Sequence, residues 1–347
     1  MRTRSLVIVA VIGCFHPVRP HPPRSDRVAL GIDTGEADAV LAMVDAPSDA
    51  AWQRLIATAG YHQLQVRERA MHRAFDDATL RAFVGSAARA PALRATLARW
   101  SATDLDEVSG QVLAYLPREA KLAATVYPVI KPSSNSFVNF DDAGAAIFVF
   151  VDPDRTPQQF DNTVAHELHH IGFASLPAAP CDAAPEICLA RTWPGSFGEG
   201  FAMLAAAGGP EIDPHRYSGA ADRERWHRDV GRFDDDLARV EALLRDIVAG
   251  RLAGDAATEQ AMTLFGVQGP WYTVGWVMAV SVERCFGRPA LIDGCGGRGR
   301  SSAATTRRAC AARVVRVRRR RAGTPIWSAR WVVRPRRAHP PGGAQYV

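Results

Sequence analysis

The spacing of apolar side chains divides the chain into a helical first part, a short strand region and a helical second part. Between residues 33 and 113, apolar residues recur at helical spacing, as in Leu93, Leu97 and Trp100. Short apolar runs bounded by turn residues then predict two or three strands, at 123–130, 136–140 and 145–151. Helical spacing returns in later segments, at 157–173, 197–207, 220–249, 256–265 and 272–286. We therefore expect a predominantly α-helical α+β fold in which a short strand region precedes the helix at 157–173.

The composition is that of a folded protein. A chain of 347 residues with 47% hydrophobic and 22% charged residues can build a sizeable core, which excludes wholesale disorder. The sequence contains no run of about 18 apolar residues, and this excludes an integral membrane protein.

The first 14 residues have the features of an export signal. Arg2 and Arg4 precede a short apolar run at 6–12, which is too short to span a membrane. The run ends in Gly13 and Cys14 and resembles the lipobox of bacterial lipoproteins, in which the cysteine becomes the lipidated first residue. The resemblance implies an exported bacterial lipoprotein, periplasmic or anchored at the outer membrane or cell surface by a lipid on Cys14. An ordinary secretory signal is the alternative, and in either case the Pro-rich residues 15–32 predict an extended tether.

The excess of positive charge lies entirely at the end of the chain. Segment 294–347 contains 14 Arg and no Lys, Asp or Glu, whereas residues 1–293 carry 28 basic and 36 acidic side chains. The net charge of +6 therefore gives no indication of a nucleic-acid partner for the folded body. We interpret segment 294–347 either as a disordered basic tail or as an out-of-frame reading of GC-rich DNA.

An H-E-x-x-H motif lies in the predicted helix at 157–173, with His166, Glu167 and His170 at its defining positions. Positions i and i+4 share one helix face, so both imidazoles can bind one Zn²⁺ at about 2.0–2.1 Å. Glu167 projects beside such a metal, where its carboxylate can move a proton from water to a leaving amine. We expect His169 to lie behind the ligands or in solvent. A helix whose histidines bind no metal is the alternative for the whole motif.

A catalytic zinc site usually has a third protein ligand and one open position. The candidate is Glu199, which lies between Gly198 and Gly200 at the start of a predicted helix. The two small residues would allow this helix to approach the histidine helix closely. Stabilisation of the Glu199 carboxylate by the helix dipole alone is the alternative, and Glu186 and Glu211 stay as other possible ligands.

These motifs resemble those of the gluzincins, which are zinc metallopeptidases that combine H-E-x-x-H with a downstream glutamate ligand. The chain resembles more closely an uncharacterised bacterial family assigned as zinc-dependent peptidases. The similarity rests on three segments, at 165–173, 198–202 and 269–275, the last followed by a helical run to Gly287. It covers roughly residues 124–292.

The resemblance implies a zincin-like fold with zinc bound by His166, His170 and Glu199 and with Glu167 as the general base. Gluzincins often use a tyrosine or histidine to hydrogen-bond the oxyanion of the tetrahedral intermediate, which makes Tyr272 a candidate for that role. Packing of Tyr272 with the neighbouring tryptophans in an aromatic core is the alternative.

Cys181 and Cys188 lie seven positions apart in the predicted loop before Glu199. In an oxidising periplasm they could form a disulfide that stiffens this loop. A zinc site at these residues is the weaker interpretation, because the sequence offers no second cysteine pair beside them.

The predicted organisation has five parts: a signal peptide (1–14), a tether (15–32), a helical N-terminal lobe (33–122), a zincin-like lobe (123–293) and the Arg-rich tail (294–347). The predicted function is hydrolysis of a peptide or protein substrate by water that zinc activates and Glu167 deprotonates. The alternative is a surface lipoprotein that binds zinc or peptide without catalysis.

Overall fold

A computed structural model describes residues 26–70, 77–85, 89–132, 136–141, 144–177, 186 and 197–295. Within these residues the chain is predominantly helical and has one small mixed sheet, which confirms the predicted α+β class. No helix in the described part of the chain is both long and apolar enough to cross a membrane.

Apart from the first strand, the elements follow the predicted order. The strands are β1 (Val28–Ile32), β2 (Leu122–Val129), β3 (Phe137–Asp141) and β4 (Gly144–Phe150). The helices between β1 and β2 are α1 (Gly35–Asp45), α2 (Asp49–Ile56), α3 (Ala59–Ala70), α4 (Asp77–Gly85), α5 (Ala90–Ser101) and α6 (Leu105–Leu113). The helices after β4 are α7 (Pro157–Ala174), α8 (Gly198–Ala207), α9 (Ala220–Val230), α10 (Phe233–Val248), α11 (Gly254–Met262), α12 (Pro270–Phe286) and α13 (Arg288–Cys295). The helix predicted over 220–249 is two helices, because the chain turns at Gly231 and Arg232.

The sheet has the strand order β1-β2-β4-β3, with β1, β2 and β4 parallel and β3 antiparallel to β4 at one edge. Side chains alternate between its faces. Leu122, Ala124 and Val126 belong to the main core, which α7 and the first helices complete. Tyr127 and Val129 face the opposite way, toward a smaller cluster that contains Leu64 of α3. The sheet is therefore covered by helices on both faces.

β1 consists of the last five residues of the predicted tether. Its backbone pairs in parallel with β2, from Val28 opposite Leu122 to Ile32 opposite Val126. The Arg27 side chain fixes the entry to this strand by donating hydrogen bonds to the carbonyl oxygens of Pro117 and Ala120. The predicted tether therefore cannot extend beyond residue 27, because residues 28–32 form a strand of the sheet. The predicted boundary between the two lobes, at 122/123, does not separate two cores, because α1, α5 and α6 share one core with α7.

Helix α7 begins with a capping box. The Thr156 hydroxyl accepts a hydrogen bond from the Gln159 backbone, and the Gln159 side chain accepts one from the Thr156 backbone. Phe160, Val164 and Leu168 recur every four residues and are fully buried against the sheet and the first helices. The burial of this face leaves a neighbouring face of α7, the one that carries His166 and His170, directed toward the later helices.

Candidate metal centre

His166 and His170 lie one turn apart on α7, as the motif predicts. Their Nε2 atoms are 3.1 Å apart, and the two rings are nearly perpendicular, with centroids 4.8 Å apart. The side chains are 17% and 27% exposed. A structural zinc site is closed, whereas a catalytic one keeps a position open to solvent. The partial exposure of these two rings fits the catalytic kind.

Glu199 of α8 completes a triangle of donor atoms. Its Oε2 lies 3.1 Å from His166 Nε2 and 3.3 Å from His170 Nε2. Ligands about 2.0–2.1 Å from a tetrahedral zinc are separated by about 3.3 Å along each edge of the tetrahedron. The two nitrogens and the oxygen therefore have the spacing of three corners of a zinc tetrahedron. The donor set itself, two imidazoles and a carboxylate, is one that catalytic zinc uses.

The charge state of Glu199 suits a ligand. Burial acts to raise its pKa, but the hydrogen bonds and charge attraction from His166 and His170 outweigh burial, so the pKa falls well below its usual value. Burial lowers the pKa of His170, while the Glu199 carboxylate raises it, and the rise dominates. Glu199 is an anion at neutral pH, which is the state that binds a metal cation.

Glu167 also lies next to the two histidines, and the three residues together form a second group of side chains that could hold a metal ion. One of its carboxylate oxygens is within 4.8 Å of the ring nitrogens of His166 and His170. Its negative charge contributes to the raised pKa of both His170 and Tyr272. No other group of three or more potential metal ligands occurs within the residues that the structure describes.

Tyr272 enters the site from the first turn of α12. Its ring is nearly parallel to that of His166, with 6.3 Å between centroids, and its hydroxyl is close enough to Glu199 for the carboxylate to affect its pKa. Burial, followed by the negative charge of Glu199, raises the Tyr272 pKa far above its usual value. Trp271 points instead into a separate cluster with α10 and α11. The side chain of Tyr272 also contacts the apolar cluster around Trp276, so it combines packing with a hydroxyl directed at the site.

His169 is fully buried and is not part of the triangle. Its ring makes edge contacts with Phe173 and with Phe201 of α8, at centroid distances of 4.9 and 4.5 Å. Burial lowers its pKa well below the usual value, so the ring is neutral. The solvent-exposed alternative is thereby excluded, and His169 joins α7 to α8 behind the donor triangle. This contact gives no local signal in the sequence, because Phe201 is 32 positions away.

The glycines beside Glu199 do not have the expected partner. A Cβ on Gly198 would meet nothing within 4 Å, and a Cβ on Gly200 would meet the backbone of α12 rather than α7. The residue that brings α8 against α7 is Phe201, through His169. The interpretation that both glycines permit approach to the histidine helix is therefore corrected.

The other predicted residues lie elsewhere. The exposed Glu211 forms an ion pair with Arg284 at 2.8 Å, and Glu186 is exposed. Neither joins the triangle. Cys14, the cysteine pair at 181 and 188, and the tail beyond Cys295 lie outside the described residues, so the predicted lipid anchor, disulfide and basic tail stay predictions.

Comparison with known proteins identifies a family. Residues 52–296 match the family described as "Putative zinc dependent peptidase (DUF5700)". This match spans the whole donor triangle, Glu167 and Tyr272, and it confirms the resemblance found from the motifs. No curated protein and no solved structure matches the chain.

Proposed function

We propose that this chain, which belongs to the family described as "Putative zinc dependent peptidase", hydrolyses peptide bonds at the site on α7, α8 and α12. One observation carries the proposal. The donor atoms of His166, His170 and Glu199 are spaced at 3.1–3.3 Å, with the Glu167 carboxylate next to them in a partly exposed site. A purely structural metal site would have no use for this adjacent carboxylate.

His166, His170 and Glu199 would hold the zinc ion. When bound, zinc would activate water and polarise the carbonyl of a peptide bond. Glu167 would accept a proton from the attacking water and deliver it to the nitrogen of the leaving amine, so that one carboxylate acts first as base and then as acid. Its position beside both histidines puts the carboxylate within reach of water at the open side of the triangle.

Tyr272 would supply a hydrogen-bond donor. Its raised pKa keeps the phenol protonated at neutral pH, so the hydroxyl can donate to an oxygen that gains negative charge during the attack. The hydroxyl lies near Glu199 at the edge of the donor triangle, where a substrate oxygen would accept its hydrogen bond.

The test compares the wild type with Glu167→Gln, using a library of peptides as substrate. We expect the substitution to reduce hydrolysis by roughly 10²–10⁴-fold, the usual contribution of general acid–base catalysis, without loss of zinc. Glu211→Gln, which changes an exposed carboxylate away from the site, is the control and should leave hydrolysis unchanged. Zinc-loaded wild type that binds peptides but cuts none would contradict the proposal and indicate a non-catalytic binding protein.

We also propose that the protein is exported and anchored by a lipid on Cys14, since the charged start, apolar run and cysteine occur in the order that a lipobox requires. In a bacterial expression host, Cys14→Ser should move the protein from the membrane fraction to the soluble exported fraction and abolish labelling by radioactive palmitate. Unchanged membrane association of the unlabelled variant would argue against the anchor.

A further inference from the structure

Three consecutive residues of α8 contact three different partners. Glu199 faces the ring nitrogens of His166 and His170, Gly200 faces the backbone of α12, and Phe201 faces the buried ring of His169. The orientation of the proposed ligand is therefore fixed by contacts of the two residues that follow it, one with α12 and one with α7. The contact through Gly200 is the one that joins Glu199 to the helix carrying Tyr272.

The contact at Gly200 is between backbones. A Cβ at this position would lie 1.9 Å from the Trp276 backbone nitrogen, 2.3 Å from the Gly275 carbonyl carbon and 2.5 Å from the Tyr272 backbone carbonyl oxygen. Backbone atoms of a helix cannot move aside as the end of a side chain can. Only glycine therefore fits between α8 and α12 at this distance.

A second glycine meets the first from the other helix. A Cβ on Gly275 would lie 2.5 Å from the carbonyl oxygen of Phe197, at the start of α8. Gly200 and Gly275 thus form a reciprocal crossing in which neither helix has a side chain between the backbones. Such crossings bring helix axes unusually close, as small residues do wherever helix backbones touch.

The crossing lies next to both functional side chains. Glu199 directly precedes Gly200, and Tyr272 lies three residues before Gly275, almost one helical turn away. The Tyr272 hydroxyl and the Glu199 carboxylate lie near each other across this crossing, because Glu199 acts on the pKa of the hydroxyl. Any added separation of the helices would pull the phenol and the carboxylate apart, and it would turn Glu199 away from the histidines.

We propose that Gly200 and Gly275 are positioning residues of the metal centre, which set the distance between α8 and α12 and thereby orient Glu199 and Tyr272. This inference rests on the proposed function, since it concerns the same zinc site. It assigns to the second glycine of the Gly198-Glu199-Gly200 segment a role different from that of the first.

The experiment compares Gly200→Ala with Gly198→Ala in the full chain. Both substitutions add one methyl group beside Glu199, but only the first meets the α12 backbone. We expect Gly200→Ala to weaken zinc binding about 10–100-fold in competition with a chelator, the range typical when support of a ligand is lost. Gly198→Ala should bind zinc as the wild type does. The visible spectrum of bound cobalt should change in Gly200→Ala alone, because it reports the ligand geometry.

A double-mutant cycle separates positioning from general destabilisation. Tyr272→Phe removes the hydroxyl that the backbone contact at Gly200 keeps near Glu199. If Gly200 acts through this contact, the effect of Tyr272→Phe on zinc affinity should largely disappear in the Gly200→Ala background. Additive effects, or wild-type zinc affinity and cobalt spectrum in folded Gly200→Ala, would overturn the inference.

Gly275→Ala is the second variant in case Gly200→Ala does not fold, because its methyl group meets Phe197 from the other helix. It should produce the same shift in zinc affinity and in the cobalt spectrum. Failure of both variants to fold, with Gly198→Ala folded, would overturn positioning in favour of a purely structural crossing. Absence of zinc from the wild type would instead contradict the proposed function itself.

Discussion

Two glutamates of this protein, the buried Glu36 and the partly buried Glu199, have the same local setting but opposite electrostatic behaviour. Glu36 and Glu199 are each the second residue of a helix, α1 or α8, and each follows a glycine. Burial raises the pKa of Glu36 to about 8, although the Ile130 amide and the charge of Lys131 act against the rise. The pKa of Glu199 is lowered, because two imidazoles within 3.3 Å outweigh the effect of burial.

The difference shows that the partners of a carboxylate, not its position in a helix, determine whether it can act as a ligand. Glu36 is 1% exposed, and one of its oxygens accepts a hydrogen bond of 3.0 Å from the Ile130 amide. It behaves as a neutral acid that fills a buried site. Glu199 is 19% exposed at its side chain and faces the two imidazole rings of His166 and His170. Helix-dipole stabilisation, which acts on both residues, therefore does not explain the Glu199 site.

The largest expected effect is the loss of zinc when one of the two histidines beside Glu199 is removed. His166→Ala takes one corner from the donor triangle and leaves Glu199 with a single imidazole. We expect the purified variant to contain almost no zinc, because two ligands hold the ion much less tightly than three. Elemental analysis measures this directly. His227→Ala, which changes a histidine paired with Asp213 outside the site, should keep its zinc. Equal zinc content in the two variants would show that the donor triangle does not bind the zinc.

The next largest effect is a difference in zinc affinity between Glu199→Gln and Glu36→Gln, which make the same substitution at the two glutamates. Glu199→Gln replaces a charged ligand by a weaker neutral one, and we expect the zinc dissociation constant to rise at least about 100-fold, beyond the range seen for supporting residues. Glu36→Gln should leave zinc affinity unchanged. Competition with a fluorescent chelator gives both values. A similar loss in both variants would mean that the chosen ligand is wrong and that helix stability alone is being measured.

The smallest effect concerns stability and pH. Because the pKa of Glu36 rises from 4.5 to about 8 on folding, the unfolded chain releases this proton at lower pH than the folded one. The contribution of Glu36 to the free energy of unfolding is therefore greatest below pH 4.5 and is lost as the pH rises to about 8. The total loss is a few kcal/mol at most. Glu36→Gln keeps a hydrogen-bond acceptor and removes this loss.

Thermal unfolding at pH 5 and pH 8.5, with a chelator present, measures the change. The melting temperature of Glu36→Gln should fall less between these values than that of the wild type. Glu241→Gln, which alters an exposed carboxylate paired with Arg245, is the control and should follow the wild type. A pH dependence of Glu36→Gln identical to that of the wild type would show that Glu36 is ionised in the folded protein.

The sequence predicts those parts of the site that depend on local spacing. The separation of His166 and His170 by four residues places their rings together on any regular helix, and the structure has this arrangement. The strands before α7 were predicted because their apolar runs end in recognisable turn residues. The motifs identify Tyr272 and Glu199 as candidates, but the spacing of residues along the chain does not predict that the two side chains lie close together.

Contacts between distant elements account for the rest. β1 is only five residues long and contains Gly31, so its strand character becomes visible only when it pairs with β2. The glycine crossing of α8 and α12 depends on the relative position of two helices some 70 residues apart in sequence. The periodicity of each helix shows which face is apolar, but it does not give the distance or register between two such faces.

Anomalous X-ray diffraction at the zinc absorption edge, from crystals of the wild-type protein grown with zinc, would show directly which residues bind the ion. We expect a single strong peak about 2.0–2.1 Å from the Nε2 atoms of His166 and His170 and from a carboxylate oxygen of Glu199, with the Glu167 carboxylate beside it and not bound to the ion. A peak bound by other residues, or no peak at this triangle in zinc-saturated crystals, would contradict this expectation.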